Sequence, residues 1–306
     1  MKAIDVGMGL PSAVDGVTRE RLITWARQAE DMGASSLVCT DRIMYPSLET
    51  MLTLAAVSSV TERVKLMTSV LVAPLRSSGA LFRKQIDTLD RLTDRRLILG
   101  VGVGRRQDDY EACGVEYTRR GRLLDDQLSR PAALPGTDGA VQGALSVADV
   151  LGPRLLFGGQ GPATLRRIGR YGGGWVAAAG LGAWSTATAF ATEVRNAWTA
   201  AGRPGTPRLV AMIYTSAGPG AHGEALRHMH SYYAFLGKDR AEELASHVVT
   251  SPGQLVETRD RIAEAGFDEL LLLPTASDLV QLEALRAALS GRTAMRLNAR
   301  ALWPGA

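Results

Sequence analysis

Glu30-Asp31-Met32-Gly33-Ala34-Ser35-Ser36-Leu37 and Ala263-Glu264-Ala265-Gly266-Phe267-Asp268-Glu269-Leu270 are one joint written twice. In each, a helix-period stretch stops at a glycine, the residue type that most readily ends a helix. In each, a leucine four residues on lies inside an apolar run of strand length. Working outward, Thr18 is placed to cap the helix that runs through Met32, and Ser251-Pro252 opens the one that stops at Gly266. Strand-like runs fall at Ile4–Met8, Ser36–Thr40, Val64–Val72, Leu97–Val103, Arg154–Phe157, Gly174–Ala178, Leu209–Thr215 and Glu269–Leu273, with helical patterns between them. Continuous apolar strands alternating with amphipathic helices indicate a parallel sheet covered by helices. Eight such units in 306 residues predict an α/β fold, a closed (β/α)8 TIM barrel. An open doubly wound sheet usually carries a nucleotide fingerprint on its first turn, and Gly7-Met8-Gly9-Leu10-Pro11 is not one. Two stretches break the rhythm: Arg130–Gly152 reads as a loop insertion between strands 4 and 5, and Gly218–Val249 as one or two extra helices between strands 7 and 8. Neither has the character of a linker, so residues 1–306 read as a single domain.

Composition narrows the function classes. Hydrophobic residues make up 46% and charged residues 22%, which fits a globular chain and excludes disorder, collagen and a disulfide scaffold. The two cysteines, Cys39 and Cys113, set no disulfide framework. The net charge is +4, but the 31 Arg and four Lys are spread along the chain. Arg166, Arg167 and Arg170 lie at helical spacing without interleaved aromatics, so no nucleic-acid partner is expected. Met1–Asp5 runs straight into a strand-like stretch rather than a secretory signal. The longest weakly polar run, Gly172–Trp184, is shorter than the roughly 18 apolar residues of a spanning helix. A soluble cytoplasmic protein with no membrane partner is the expectation. His228 and His230, two apart on a helix, point to different faces, and His222 and His247 have no metal-ligand spacing around them, so no metal is expected.

Barrel enzymes work at the C-terminal ends of their strands. There the sequence Phe157-Gly158-Gly159-Gln160-Gly161-Pro162-Ala163-Thr164 ends a strand in glycines and starts a helix near Pro162. Such a turn lets a phosphate approach free backbone N–H groups at a helix N-terminus. Thr164 can add a hydroxyl, and Arg166 or Arg167 a charge; an ordinary glycine turn with a well-started helix is the plain alternative. The Walker lysine is absent, so this is no NTPase loop. Gly100-Val101-Gly102-Val103-Gly104 misses the dinucleotide fingerprint because Arg105 stands at its third glycine. Small residues at period two instead give one strand a bare face, suited either to a flat ring or to tight strand packing. Asp41 and Arg42 end the second strand. Asp41 can accept a proton or orient Arg42, and Arg42 can stabilise an anion, while a structural ion pair between them is the alternative. Cys39 reads as a buried small hydrophobe, and Cys113 as a loop thiol made unreactive by Asp108, Asp109 and Glu111.

Several blocks together resemble the luciferase-like monooxygenases, the group that contains bacterial luciferase and many oxidoreductases dependent on flavin or on the deazaflavin F420. They are Gly9-Leu10-Pro11, Ala29-Glu30-Asp31-Met32-Gly33, Thr61–Thr68, Lys84–Asp90, Arg96–Gly104, Gly158-Gly159 with Leu165-Arg166-Arg167, and Tyr171-Gly172 with Trp175. The resemblance covers most of the chain. It implies a barrel whose mouth holds the flavin ring against Thr68, Ser69 and Val70 on one side and Gly102, Val103 and Gly104 on the other. It also implies a phosphate site at Gly158, Gly159, Gln160, Gly161, Thr164 and Arg167, and a non-prolyl cis peptide at Ser69-Val70. Asp41 and Arg42 are the candidate catalytic residues. Three departures stand out: Arg42 where many F420-dependent relatives have His, Tyr171-Gly172-Gly173-Gly174-Trp175 where relatives often read Tyr-Gly-Asp-Gly-Trp, and a shortened 130–152 connection.

The expected function is an FMN-dependent monooxygenase, using reduced FMN and O2 on a small organic substrate while the protein excludes water. F420-dependent hydride transfer, and a flavin-binding protein that has lost catalysis, stay open as alternatives. The partners expected are a small-molecule substrate, a separate flavin reductase and a second copy of the chain in a homodimer.

Overall fold

The computed structural model describes residues 3–129, 146–181 and 184–290. Eight parallel strands, β1 (Asp5–Gly9), β2 (Ser36–Cys39), β3 (Lys65–Val72), β4 (Leu97–Gly102), β5 (Leu155–Gly158), β6 (Gly174–Ala177), β7 (Arg208–Thr215) and β8 (Glu269–Pro274), close in chain order, β8 pairing back onto β1. The described helices are α1 (Arg19–Asp31), α2 (Thr50–Ser58), α3 (Gly79–Leu92), α4 (Gln107–Ala112), α5 (Arg120–Ser129), α6 (Val147–Leu151), α7 (Pro162–Tyr171), α8 (Trp184–Ala200), α9 (Ala221–Tyr232), α10 (Lys238–Ser246), α11 (Pro252–Glu264) and α12 (Val280–Ser290). This is the (β/α)8 barrel expected, with every strand end within one residue of its predicted place.

The repeated joint has one geometry. Gly33 and Gly266 adopt φ of +82° and +79°. Ala34 N–H donates to the Ala29 carbonyl and Gly33 N–H to Glu30; Phe267 and Gly266 repeat this on Ile262 and Ala263. These are Schellman closures, whose left-handed residue favours glycine. Thr18 and Ser251 cap α1 and α11 through their side chains.

Alternation along the strands separates two cores. Leu37, Leu66, Leu99, Leu155, Trp175, Leu209 and Leu270 belong to the cluster under the helices. Val38, Met67, Ile98, Leu156, Val176, Val210 and Leu271 belong to a second cluster, inside the barrel. Below them the floor is polar. Fully buried Glu269 pairs with Arg208 at 2.8 Å and accepts the hydroxyls of Ser35 and Ser36. Gly7 leaves room for this plug, since a Cβ there would stand 2.3 Å from Ser36 Oγ. Toward the other end Val70 and Met212 are only half-buried and Ala178 is exposed, so accessible space opens at that level.

The connection between β4 and β5 corrects one expectation. Residues 130–145 lie outside the described residues, but 146–154 is not loop. Ser146 and Asp149 form a reciprocal capping box on α6, and Gly152–Arg154 makes a 3-10 turn into β5. The β7–β8 connection holds α9 and α10, as expected.

Candidate functional site

The glycine loop after β5 forms a cradle. Gly159 and Gly161 take φ of +94° and +147°, and Gly161 starts α7 with no side-chain cap. Among the described residues nothing accepts from the N–H groups of Gln160, Gly161 or Ala163. A Cβ on Gly161 would meet nothing within 4 Å, so open space lies over these donors. The Thr164 hydroxyl stands 3.3 Å from where a Cβ on Gly159 would be, and Trp175 Nε1 holds the Gly159 carbonyl at 2.8 Å. Free N–H groups, a helix start and a hydroxyl on one turn are the donors an anion requires. Arg167 does not serve it: the side chain is buried and clamps α5, through Asp125 at 2.7 Å and the Gly121 carbonyl at 3.0 Å. Arg166 is exposed.

The Ser69–Val70 peptide is cis, where the resemblance implied it. Around it the bare face of β4 is filled. A Cβ on Gly100 would stand 2.2 Å from the Thr68 carbonyl, on Gly102 2.8 Å from Val70, on Gly104 2.9 Å from Val72 and on Gly158 2.9 Å from Val70. These glycines therefore make space for β3, the tight-packing alternative, and half-buried Val70 is what the mouth presents over Gly102 and Gly158. Thr68 is buried with its hydroxyl on the Gly100 carbonyl, Ser69 donates to Met212 Sδ at 3.3 Å, and the Val103 carbonyl accepts from Tyr110.

Asp41 and Arg42 do not pair with each other. Asp41 is held by Arg76 through Nη1 at 2.5 Å and Nη2 at 3.0 Å, by the Thr50 hydroxyl at 3.0 Å and by Val72 N–H at 2.8 Å. With every oxygen engaged it fixes the end of β3. Arg42 turns the other way. It donates to the carbonyls of Tyr232 and Met44, and its guanidinium lies 4.5, 4.6 and 5.7 Å from the rings of Tyr45, Tyr232 and Phe235. Arg106 stacks on Phe235 at 4.1 Å and pairs with Asp109, whose carboxylate accepts from Ile43 and Met44 N–H. Three loops are thereby latched together: those after β2 and β4, and the insertion after β7.

That insertion roofs the mouth. Tyr214, which packs in the interior cluster, meets Tyr233 hydroxyl to hydroxyl at 3.1 Å, and the ring of His228 at 5.6 Å. His228 stacks on Tyr232 at 5.5 Å. Burial pushes His228 down to about 4, so its imidazole is neutral, and raises the Tyr214, Tyr232 and Tyr233 phenols above their ordinary range. Sequence reading missed this roof and Arg76. The signal available was His228 and Tyr232 four apart on one helix face, next to a second tyrosine. Cys39 is fully buried, its thiol pushed to about 12 chiefly by burial; Cys113 ends α4, its thiol raised by burial and then by Asp109. Among the described residues no group of three or more His, Cys, Asp or Glu could hold a metal ion, and no helix is long and apolar enough to cross a membrane.

A closed eight-strand barrel with a phosphate-type cradle after β5 and a cis peptide at the mouth defines a class of cofactor-binding barrels. The family model for luciferase-like monooxygenases matches residues 5–271, and the chain belongs to that family. It is 29% identical over 185 residues to an uncharacterised protein of Mycobacterium tuberculosis, a match over 50% of this chain and 64% of that protein's length. Its fold is similar to an F420-dependent secondary alcohol dehydrogenase in complex with an F420–acetone adduct, with a TM-score of 0.70 and 16% identity, covering 94% of this chain and 98% of the other. It is also similar to the oxygenating constituent of 3,6-diketocamphane monooxygenase from Pseudomonas putida in complex with FMN, with a TM-score of 0.63 and 17% identity over 98% of each chain.

Proposed function

We propose that the chain is an FMN-dependent monooxygenase of a small organic substrate, taking its reduced cofactor from a separate reductase. The observation that carries the cofactor is the cradle: unpaired N–H groups of Gln160, Gly161 and Ala163 under open space, with the Thr164 hydroxyl beside them. Those groups fit a terminal phosphate, and Val70, above Gly102 and Gly158, gives a ring an apolar surface to lie on. When bound, reduced FMN supplies two electrons to O2, so that one oxygen atom enters the substrate and the other leaves as water. The chain's own part is to bind and orient: the cradle fixes the phosphate, and the roof of tyrosines keeps bulk water from the ring.

FMN is preferred because the end of β2 offers no base. Arg42 stays charged at working pH and is spent on carbonyls and rings, and Asp41 is locked by Arg76. The second reading is F420-dependent hydride transfer, favoured by the likeness to the F420-dependent alcohol dehydrogenase. Titration of the purified protein with FMN and with F420 decides between them. Gly159→Val, which puts a branched side chain at φ +94° in the cradle, should weaken cofactor binding tenfold or more, about 1.4 kcal/mol. If the parent binds neither cofactor, or the variant binds as the parent does, the reading fails.

A further inference from the structure

The roof over the mouth has its own chemistry. Buried Ala221, Ala225, His228 and Tyr232 form one stripe of α9, and its contacts with Tyr214 turn that stripe toward the barrel. The surface is aromatic, and His228 is its one ionisable side chain besides the tyrosines. Neither His228 nitrogen has a hydrogen-bond partner among the described residues, although the side chain is buried. An imidazole that is 7% exposed, ringed by tyrosines and still unpaired leaves a donor and an acceptor unused. Of the charged groups near this surface, Arg42 lies against the Tyr232 ring with its amines on carbonyls, Asp41 acts on Tyr232 from its pair with Arg76, and Arg105 acts on Tyr233. Val70 and Met212, which face the mouth, pack against the same cluster and are half-buried.

We infer that this roof is the substrate wall, that it takes an uncharged, largely apolar molecule with a single hydrogen-bonding group, and that His228 holds that group. An ionised substrate would lose its hydration to a wall whose Arg42 is already spent on carbonyls and rings, whereas a neutral ring stacks on tyrosine and needs one polar partner. The inference rests on the proposed function only in taking the mouth as the place of reaction.

The test uses the full chain labelled with 15N-histidine, in which only four imidazoles contribute. His228→Phe, which keeps a stacked ring, identifies the His228 signals by their loss. Acetophenone, a neutral aromatic ketone, should shift the His228 signals and leave those of His222 and His247 in place; benzoate should bind at least tenfold more weakly. His228→Phe should lose acetophenone affinity tenfold or more, His228→Gln should keep more of it, and FMN affinity should stay within twofold in both. The inference is overturned if saturating acetophenone leaves His228 unmoved, or if benzoate binds the tighter. Absence of FMN binding in the parent sinks the proposed function instead, because the acetophenone titration is read without FMN.

Discussion

Asp41 shows how a residue can be noticed in the sequence while its partner in the fold is not. The sequence places it beside Arg42, yet in the fold its partner is Arg76, 35 positions on, at 2.5 Å. Neighbours on a strand end point to opposite sides, so adjacency in sequence argued against the pair. Asp41→Ala leaves the partly buried Arg76 guanidinium with Glu49, at 2.8 Å, as its remaining carboxylate partner. It also strips Val72 N–H of its acceptor and the Thr50 hydroxyl of one, so it should cost about 1–3 kcal/mol by urea unfolding. Arg42→Met should cost about 2 kcal/mol through its carbonyl bonds and ring contacts, with turnover per folded molecule within a few-fold of the parent. A hundredfold drop in turnover at unchanged stability would instead put Arg42 in the chemistry.

At the level of elements, apolar runs and helix stops carried the barrel, because each joint encodes its own geometry. One joint escaped notice. Asp94 N–H donates to the Arg91 carbonyl and Arg95 N–H to Asp90, closing α3 with the same bonds as at Gly33 and Gly266 but with non-glycine residues at φ of +49° and +55°. Aspartate tolerates that region without announcing it. The Gly172-Gly173-Gly174 run is now explained by packing: a Cβ on Gly173 would stand 1.7 Å from the Pro153 carbonyl, where the 3-10 turn enters β5. Gly173→Ala should therefore lower stability by about 3 kcal/mol in thermal melts, nearly as much as Gly173→Asp, because the clash begins at the first carbon. The bare face of β4 misled in the opposite way. Period two revealed the glycines, but which strand fills their space depends on how β3 turns at Ser69-Val70, and no local pattern states that.

Across the whole molecule, the roof ties stability to pH. The His228 imidazole sits near 4 when folded, against 6.5 for the free group. The unfolded chain takes up the proton first as pH falls, so its contribution is complete above about 6.5 and declines down to about 4, by about 3 kcal/mol in all. Comparing urea midpoints of the parent and His228→Phe across that window should show the slope in the parent and a flatter profile in the variant. Equal slopes would mean that other groups carry the acid sensitivity. The floor has a different consequence. With Glu269, Arg208 and the two serines filling the lower end, the interior among the described residues is approached from the upper end. Two molecules that share it cannot pass one another, so whichever lies deeper must enter first and leave last. On the proposed function, a saturating second ligand should slow escape of the first in a chase experiment, giving compulsory queueing imposed by the shape of the vessel alone.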